Sequence, residues 1–344
     1  MSQDERLMIL QMVADKKITA AEAAELLKAL DHREPEPAKG PQALKKPPFR
    51  SRPTPPPVPP VLSGLGSFIE NVVEKVTGSF ASAFEPRYEF PTELTGEFTG
   101  DVVPIRIVTG NGRVVVRAWD EPGYKASILA KAAGANEDEA RTRANSAYTV
   151  KAGADGFELE VKHWDWGDTA VHVTLLVPRG KTYRLDARTG NGSVELEGLS
   201  MIETQLDSGN GKIFVRGGSA DRVTLRTGVG SVDIEADVAN LDAQTGSGSL
   251  HIMPTGSRPQ LLQLNTGNGS VHVQTVKVGA GAGFKVEVHT GLGGVNLGLP
   301  SLTFDSDVRS SPSKSVRART VNFETASVPV TIIASTGMGS VTID

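Results

Sequence analysis

The chain has 344 residues, with 36 Lys and Arg against 40 Asp and Glu, and a formal net charge of −4. It contains no cysteine, which excludes a disulfide framework, thiolate metal sites and cysteine nucleophiles. Aromatic residues make up only 5 % while glycine counts 37 and proline 21, so the core must be Val, Leu and Ile packed among many tight turns.

The length suggests two domains or one long repetitive one. Its start, MSQDERLM, is charged at once, and no apolar run approaches the roughly 20 residues of a membrane span. The expectation is a soluble chain kept in the cytoplasm. Residues 1–30 carry a net −1, residues 31–60 a net +3, and the remainder −6. An acidic body argues against nucleic acid, because phosphate contacts need clustered Lys and Arg. The basic stretch reads as a solvated linker, with weak contact to an anionic surface as the alternative.

Two capping boxes open the chain, Ser2 with Glu5 and Thr19 with Glu22. The first helix shows Leu7, Leu10, Val13 and Ala14 on one face, and the second Ala23, Leu26, Leu27 and Leu30. Asp15-Lys16-Lys17 turns between them. A hairpin over 1–31 is too small to bury a core alone, so it is expected to dock on a protein partner or on itself. Leu7, Leu10, Leu26, Leu27 and Leu30 are its interaction candidates.

Residues 31–60 hold 11 of the 21 prolines and end in PTPPPVPP. Proline fixes φ and removes a donor, so the segment 32–60 reads as a polyproline-like tether, with PxxP recognition as the alternative. Helical spacing returns over 61–84, where Leu65, Phe68, Ile69, Val72, Val76 and Phe80 form an apolar stripe. This helix is expected to cover the open end of the following β domain. The alternative is peripheral contact with a membrane, although its polar face carries more Glu than Lys.

From residue 85 onward the chain is a repeat. T/S-G-x-G-x-Φ-x-Φ, with Φ aliphatic, begins at Thr109, Thr189, Ser208, Thr227, Thr245, Thr266, Thr290 and Thr336. After a first gap of 80 residues the intervals are 19, 19, 18, 21, 24 and 46. A period near 20 with no helical signal inside it predicts a parallel β-solenoid of stacked coils. The fold class is therefore mainly β, preceded by a small α-helical hairpin and the Pro-rich linker. The last, doubled gap is expected to hold one degenerate coil, with SSPSKSVRAR from Ser310 supplying its turn.

The paired glycines are expected at the corners: Gly110 and Gly112, Gly190 and Gly192, Gly209 and Gly211, Gly228 and Gly230, Gly246 and Gly248, Gly267 and Gly269, Gly291 and Gly293, Gly337 and Gly339. The aliphatic positions five and seven face inward and the alternate ones are wet. Glu197, Arg216 and Glu235 stack in alternating charge. His251 and His272 are neighbours in another column, where a metal is conceivable, but no carboxylate is expected beside them and an exposed polar ladder is the plainer reading. The closing TGMGSVTID is expected to leave an exposed edge strand, a surface for end-to-end assembly.

TGNG is not a phosphate loop, since it runs into a strand and lacks the Lys-Ser/Thr pair. HWDWGD (163–168) offers His163, Asp165 and Asp168, at a spacing that matches no metal-ligand pattern. No Ser/His/Asp set and no carboxylate pair emerges, so the chain is read as a non-enzyme without cofactor.

TGNGRVVVRAWDEP (109–122), NEDEARTRANS (136–146), FELEVKHW (157–164) and VTLLVPRG (173–180) together resemble the bacterial "putative adhesin" β-solenoid family over residues 88–344. Residues 5–30 resemble the SHOCT-like hairpin that often precedes such solenoids. The combined arrangement is similar to LiaX- and YvlB-type proteins. That resemblance implies protein-protein contacts in cell-envelope stress sensing or regulation, at the inner membrane face. A self-assembling bactofilin-like scaffold and a cell-surface adhesin are the alternatives.

Overall fold

In a computed structural model that describes residues 86–162, 169–308 and 312–344, the repeats form strand ends and corners of one mainly β body. The hairpin expected at 1–31, the linker at 32–60, the helix at 61–84 and the HWDWGD segment lie outside the described residues, as does Ser310.

The strands are β1 (Arg87–Gly96), β2 (Val102–Asn111), β3 (Val114–Trp119) and β4 (Tyr124–Ala133), followed by helix α1 (Glu137–Ala147). Next come β5 (Tyr148–Gly153), β6 (Gly156–Val161), β7 (Thr169–Pro178), β8 (Thr182–Asn191), β9 (Val194–Glu197), β10 (Ser200–Asn210), β11 (Ile213–Val229) and β12 (Val232–Ser247). The chain continues through β13 (Leu250–Pro254), β14 (Gln260–Asn268), β15 (Val271–Val273), β16 (Ala282–Leu292), β17 (Val295–Leu297), β18 (Leu302–Val308), β19 (Lys314–Thr320), β20 (Val328–Met338) and β21 (Val341–Ile343).

These strands line up in two ladders. One runs β5–β6–β2–β8–β10–β11–β12–β14–β20–β16–β19–β18. The other runs β1–β4–β7–β3–β9–β11–β12–β13–β15–β21–β17. Both are parallel through their middles and antiparallel only toward their ends. Strands β11 and β12 belong to both ladders because each bends midway; in β11 the bend falls at Gly217 and Gly218, with φ of 65° and 81°. In every coil the strand before the T/S-G-x-G corner joins the first ladder, and the strand after it joins the second.

Side-chain alternation explains the core. Positions five and seven of the repeat are buried in seven coils, from Val114 and Val116 through Val341 and Ile343. In the eighth, Val295 and Leu297 are only half-buried, because β17 ends its ladder and has a neighbour on one side. The Val, Leu and Ile of both ladders form one continuous cluster. Helix α1 starts at Asn136, whose side chain accepts the Glu139 N–H at 2.9 Å. It packs Ala140 and Ala144 against Ala130 and Ala132 of β4, beside Tyr88 and Phe90.

Two expectations fail at the far end, for one reason. The coils do not stack in chain order: β20 lies between β14 and β16, and β21 lies between β15 and β17. The final copy, TGMGSVTI, is therefore an internal coil, and TGMGSVTID is not an exposed edge. The degenerate segment supplies no missing coil either. Its residues Lys314–Thr320 form β19, antiparallel to both β16 and β18. Among the described residues the strands with a single neighbour at that end are β17 and β18, so the argument for end-to-end assembly from the last strand falls.

Candidate functional site

The predicted corner glycines fall at two points of every coil. The first of each pair lies one residue inside a strand end, as Gly110 in β2 and Gly228 in β11, and the second follows the strand directly. At Gly228 an added Cβ would lie 2.6 Å from the Gly209 carbonyl oxygen of the preceding coil. At Gly230, with φ of +154°, it would overlap the Gly211 carbonyl. The same contacts trace the inverted order, with Gly337 against Gly267 and Gly291 against Gly337, each 2.6 Å from a carbonyl oxygen.

Sequence reasoning missed the role of the residue before each pair. The Thr or Ser hydroxyl points inward and donates to the carbonyl of the second glycine in the neighbouring coil. These bonds run Thr189 to Gly112 at 3.0 Å, Ser208 to Gly192 at 3.0 Å, Thr227 to Gly211 at 2.9 Å, Thr245 to Gly230 at 2.9 Å and Thr266 to Gly248 at 2.9 Å. The row continues with Thr336 to Gly269 at 2.8 Å and Thr290 to Gly339 at 3.0 Å. At one end Thr109 Oγ1 is buried with no partner among the described residues, and at the other Lys314 Nζ donates to the Gly293 carbonyl at 2.6 Å. The signal was present in the sequence: a residue restricted to Thr or Ser and facing a core needs a buried acceptor.

Outside this row, the exposed Gly209, Gly228, Gly246 and Gly267 make a trough of about 740 Å³ along the corner. Arg188, Asp207, Arg226, Gln244 and Asn265 form its rim. Charges beside it pair across and along strands. Arg106 meets Asp186 at 2.8 Å, while Arg188 meets Asp186 at 2.9 Å and Asp207 at 3.5 Å. On the second ladder, Arg117 meets Glu197 at 2.9 Å, and Arg216 stands between Glu197 and Glu235 in register. The Arg113 guanidinium is held above its ordinary value by its hydrogen bond to Glu195. Glu235 is held below its ordinary value by its hydrogen bond from Lys277.

Arg258 is a clamp that the sequence did not reveal. Its guanidinium donates to Asp237 and Asp221, both at 2.9 Å, and to the Ala220 and Asp237 carbonyls. Burial opposes its charge, but the hydrogen bonds to the two carboxylates outweigh that and raise its pKa.

His251 and His272 are register partners on β13 and β15, with ring centroids 6.3 Å apart, edge to face. The expectation of no adjacent carboxylate is wrong: His272 Nε2 lies 3.0 Å from Asp344 Oδ1. The inverted coil order brings Asp344 there by setting β21 beside β15. Asp233 is the register partner of His251 on its other side. Among the described residues no three His, Cys, Asp or Glu side chains already converge as a metal cluster. Elsewhere, His172 Nδ1 accepts the Arg113 backbone N–H at 3.1 Å. Burial, then the Lys131 charge, pushes the His172 pKa down. The interaction candidates at positions 7–80 lie outside the described residues.

With this geometry in view, a model of the Toastrack DUF4097 family matches residues 158–337, and a SHOCT-like domain model matches residues 4–35. Similar solved structures include a putative cell adhesion protein from Clostridium sporogenes, 11 % identical, covering 75 % of this chain and 99 % of that one at a TM-score of 0.35. A putative adhesin from Bacteroides fragilis is 9 % identical, covering 75 % and 97 % at a TM-score of 0.37. A putative adhesin from Parabacteroides distasonis is 11 % identical, covering 74 % and 97 % at a TM-score of 0.37. No curated protein matches the chain.

Proposed function

Because the chain belongs to the Toastrack DUF4097 family, we propose that it is a non-enzymatic β-solenoid that acts through protein contacts. The observation that supports this reading is the corner trough. Its floor is backbone, because Gly209, Gly228, Gly246 and Gly267 carry no side chain, and its rim alternates Arg188, Asp207 and Arg226. A long shallow channel of that kind suits an extended polypeptide segment, whose main chain approaches the floor while its side chains meet the charged rim. The packed ladders hold the channel rigid, so binding costs little ordering on this side.

The setting we assign is cell-envelope stress sensing or regulation. It rests on the resemblance of residues 5–30 and 88–344 to LiaX- and YvlB-type proteins. In this reading the SHOCT-like segment supplies a second point of protein attachment, and residues 61–84 contact the inner membrane face. No described helix is long and apolar enough to cross a membrane.

The test is a photo-crosslinking residue placed at Arg226 in the trough and, separately, at Lys151 on β5, in cells with and without envelope damage. The proposal expects a discrete adduct at Arg226 that changes with damage and needs residues 1–31. Equal labelling at both positions, or adducts indifferent to damage, would refute it.

A further inference from the structure

We propose that His251 and His272 form a binding site for a first-row divalent cation that favours imidazole, of the Zn²⁺, Ni²⁺ and Cu²⁺ class. Four observations place it. The two residues are direct register partners on adjacent parallel strands, so their Cβ atoms leave the same face one strand spacing apart. Their ring centroids are 6.3 Å apart. Two imidazoles on one tetrahedral metal, each bound at about 2.0–2.1 Å, have centroids roughly 5 Å apart. Closing that difference falls to rotation of the side chains.

The third observation is the hydrogen bond from His272 to Asp344. A carboxylate only accepts, so His272 Nε2 is the donor, and in the neutral imidazole that arrangement leaves the Nδ1 lone pair for a metal. A histidine whose other nitrogen donates to a carboxylate is the usual support for a metal ligand, since the carboxylate fixes the ring and raises its basicity. Asp344 is therefore a positioning residue.

The fourth is the surroundings. Both rings line an open concavity of about 190 Å³ with Asp233, Glu235, Met253 and Gln274. Asp233, beside His251, supplies negative charge, whereas Glu235 is engaged by Lys277 at 2.5 Å. With nitrogen and oxygen donors and no thiolate in the chain, the site selects borderline cations over soft ones. Two protein ligands leave the remaining positions to water, so the site is of modest affinity and open to a further ligand.

The experiment titrates metal-stripped full-length protein with ZnCl₂ by calorimetry, alongside H251Q, H272Q, the double variant and D344N. Zn²⁺ binding is expected to weaken at least tenfold in either single histidine variant and to vanish at this site in the double one. D344N is expected to weaken it by about tenfold, the usual scale for losing such a support. In parallel, Zn²⁺ should shift the ring proton resonances of two of the six histidines, and these should be the signals missing from H251Q and H272Q. The proposal is overturned if the wild type takes up no Zn²⁺, if the double variant binds it unchanged, or if other histidines shift. An unchanged affinity in D344N would overturn the role of Asp344.

Discussion

Replacing Thr227 by Val removes one hydroxyl from the middle of the inward row while keeping the side-chain shape. The Thr227 hydroxyl, 5 % exposed with its residue, donates at 2.9 Å to the Gly211 carbonyl, which faces the next coil. Without it, a half-buried carbonyl loses its donor, at a cost of about 1–3 kcal/mol. For a domain of this size each kcal/mol lowers Tm by roughly 2–4 °C. T227S keeps the donor and loses one methyl group, about 0.8 kcal/mol, and Ser already serves at position 208. The control is Thr109, whose buried hydroxyl has no partner among the described residues; T109V removes a polar group with no acceptor there and should leave stability unchanged or raise it. Thermal unfolding followed by circular dichroism measures all three. Amide exchange at Gly211 and Gly230 localises the defect, since stability in stacked repeats is carried by neighbouring interfaces. The expected order is T109V at or above wild type, then T227S, then T227V. If T109V costs as much as T227V, the hydroxyl row contributes nothing and the restriction to Thr and Ser has another cause.

Other changes test other parts of the fold. G230A puts a Cβ onto the Gly211 carbonyl at a φ of +154° and should destabilise by more than about 3 kcal/mol, read as loss of soluble protein or a collapsed Tm; a Tm within a few degrees of wild type would contradict the close-approach argument. Deleting residues 328–344 removes β20 and β21 from between their neighbours and should abolish cooperative unfolding of the C-terminal coils, whereas loss of a true end coil would leave the rest intact. His172 accepts an N–H through Nδ1 and its pKa is depressed, so the unfolded chain binds the extra proton first; its stabilising effect is full above about 6.5 and declines as pH falls below that. H172Q should flatten that part of the stability–pH profile, and an unaltered profile would show that His172 is not its source.

Much of this protein was legible before any coordinates. The T/S-G-x-G corner and the inward aliphatic pairs are local matters: a glycine where backbones nearly touch and a period of two in a strand. Such features depend on residues within a few positions of one another, and a repeat states them eight times. The inward hydroxyl was also written in the sequence, but its acceptor lies one coil away and only packing identifies it. The order of the coils was not legible. Every coil offers the same hydroxyl, the same carbonyl and the same aliphatic pair, so the pattern is satisfied equally by stacking in chain order and by inserting β20 and β21 between earlier and later coils. Long-range pairing made that choice, and with it turned the last strand from an edge into an interior element and brought Asp344 to His272. Sequence by itself determined the unit and what each of its residues does; tertiary structure decided which unit stands beside which, because identical interfaces carry no address.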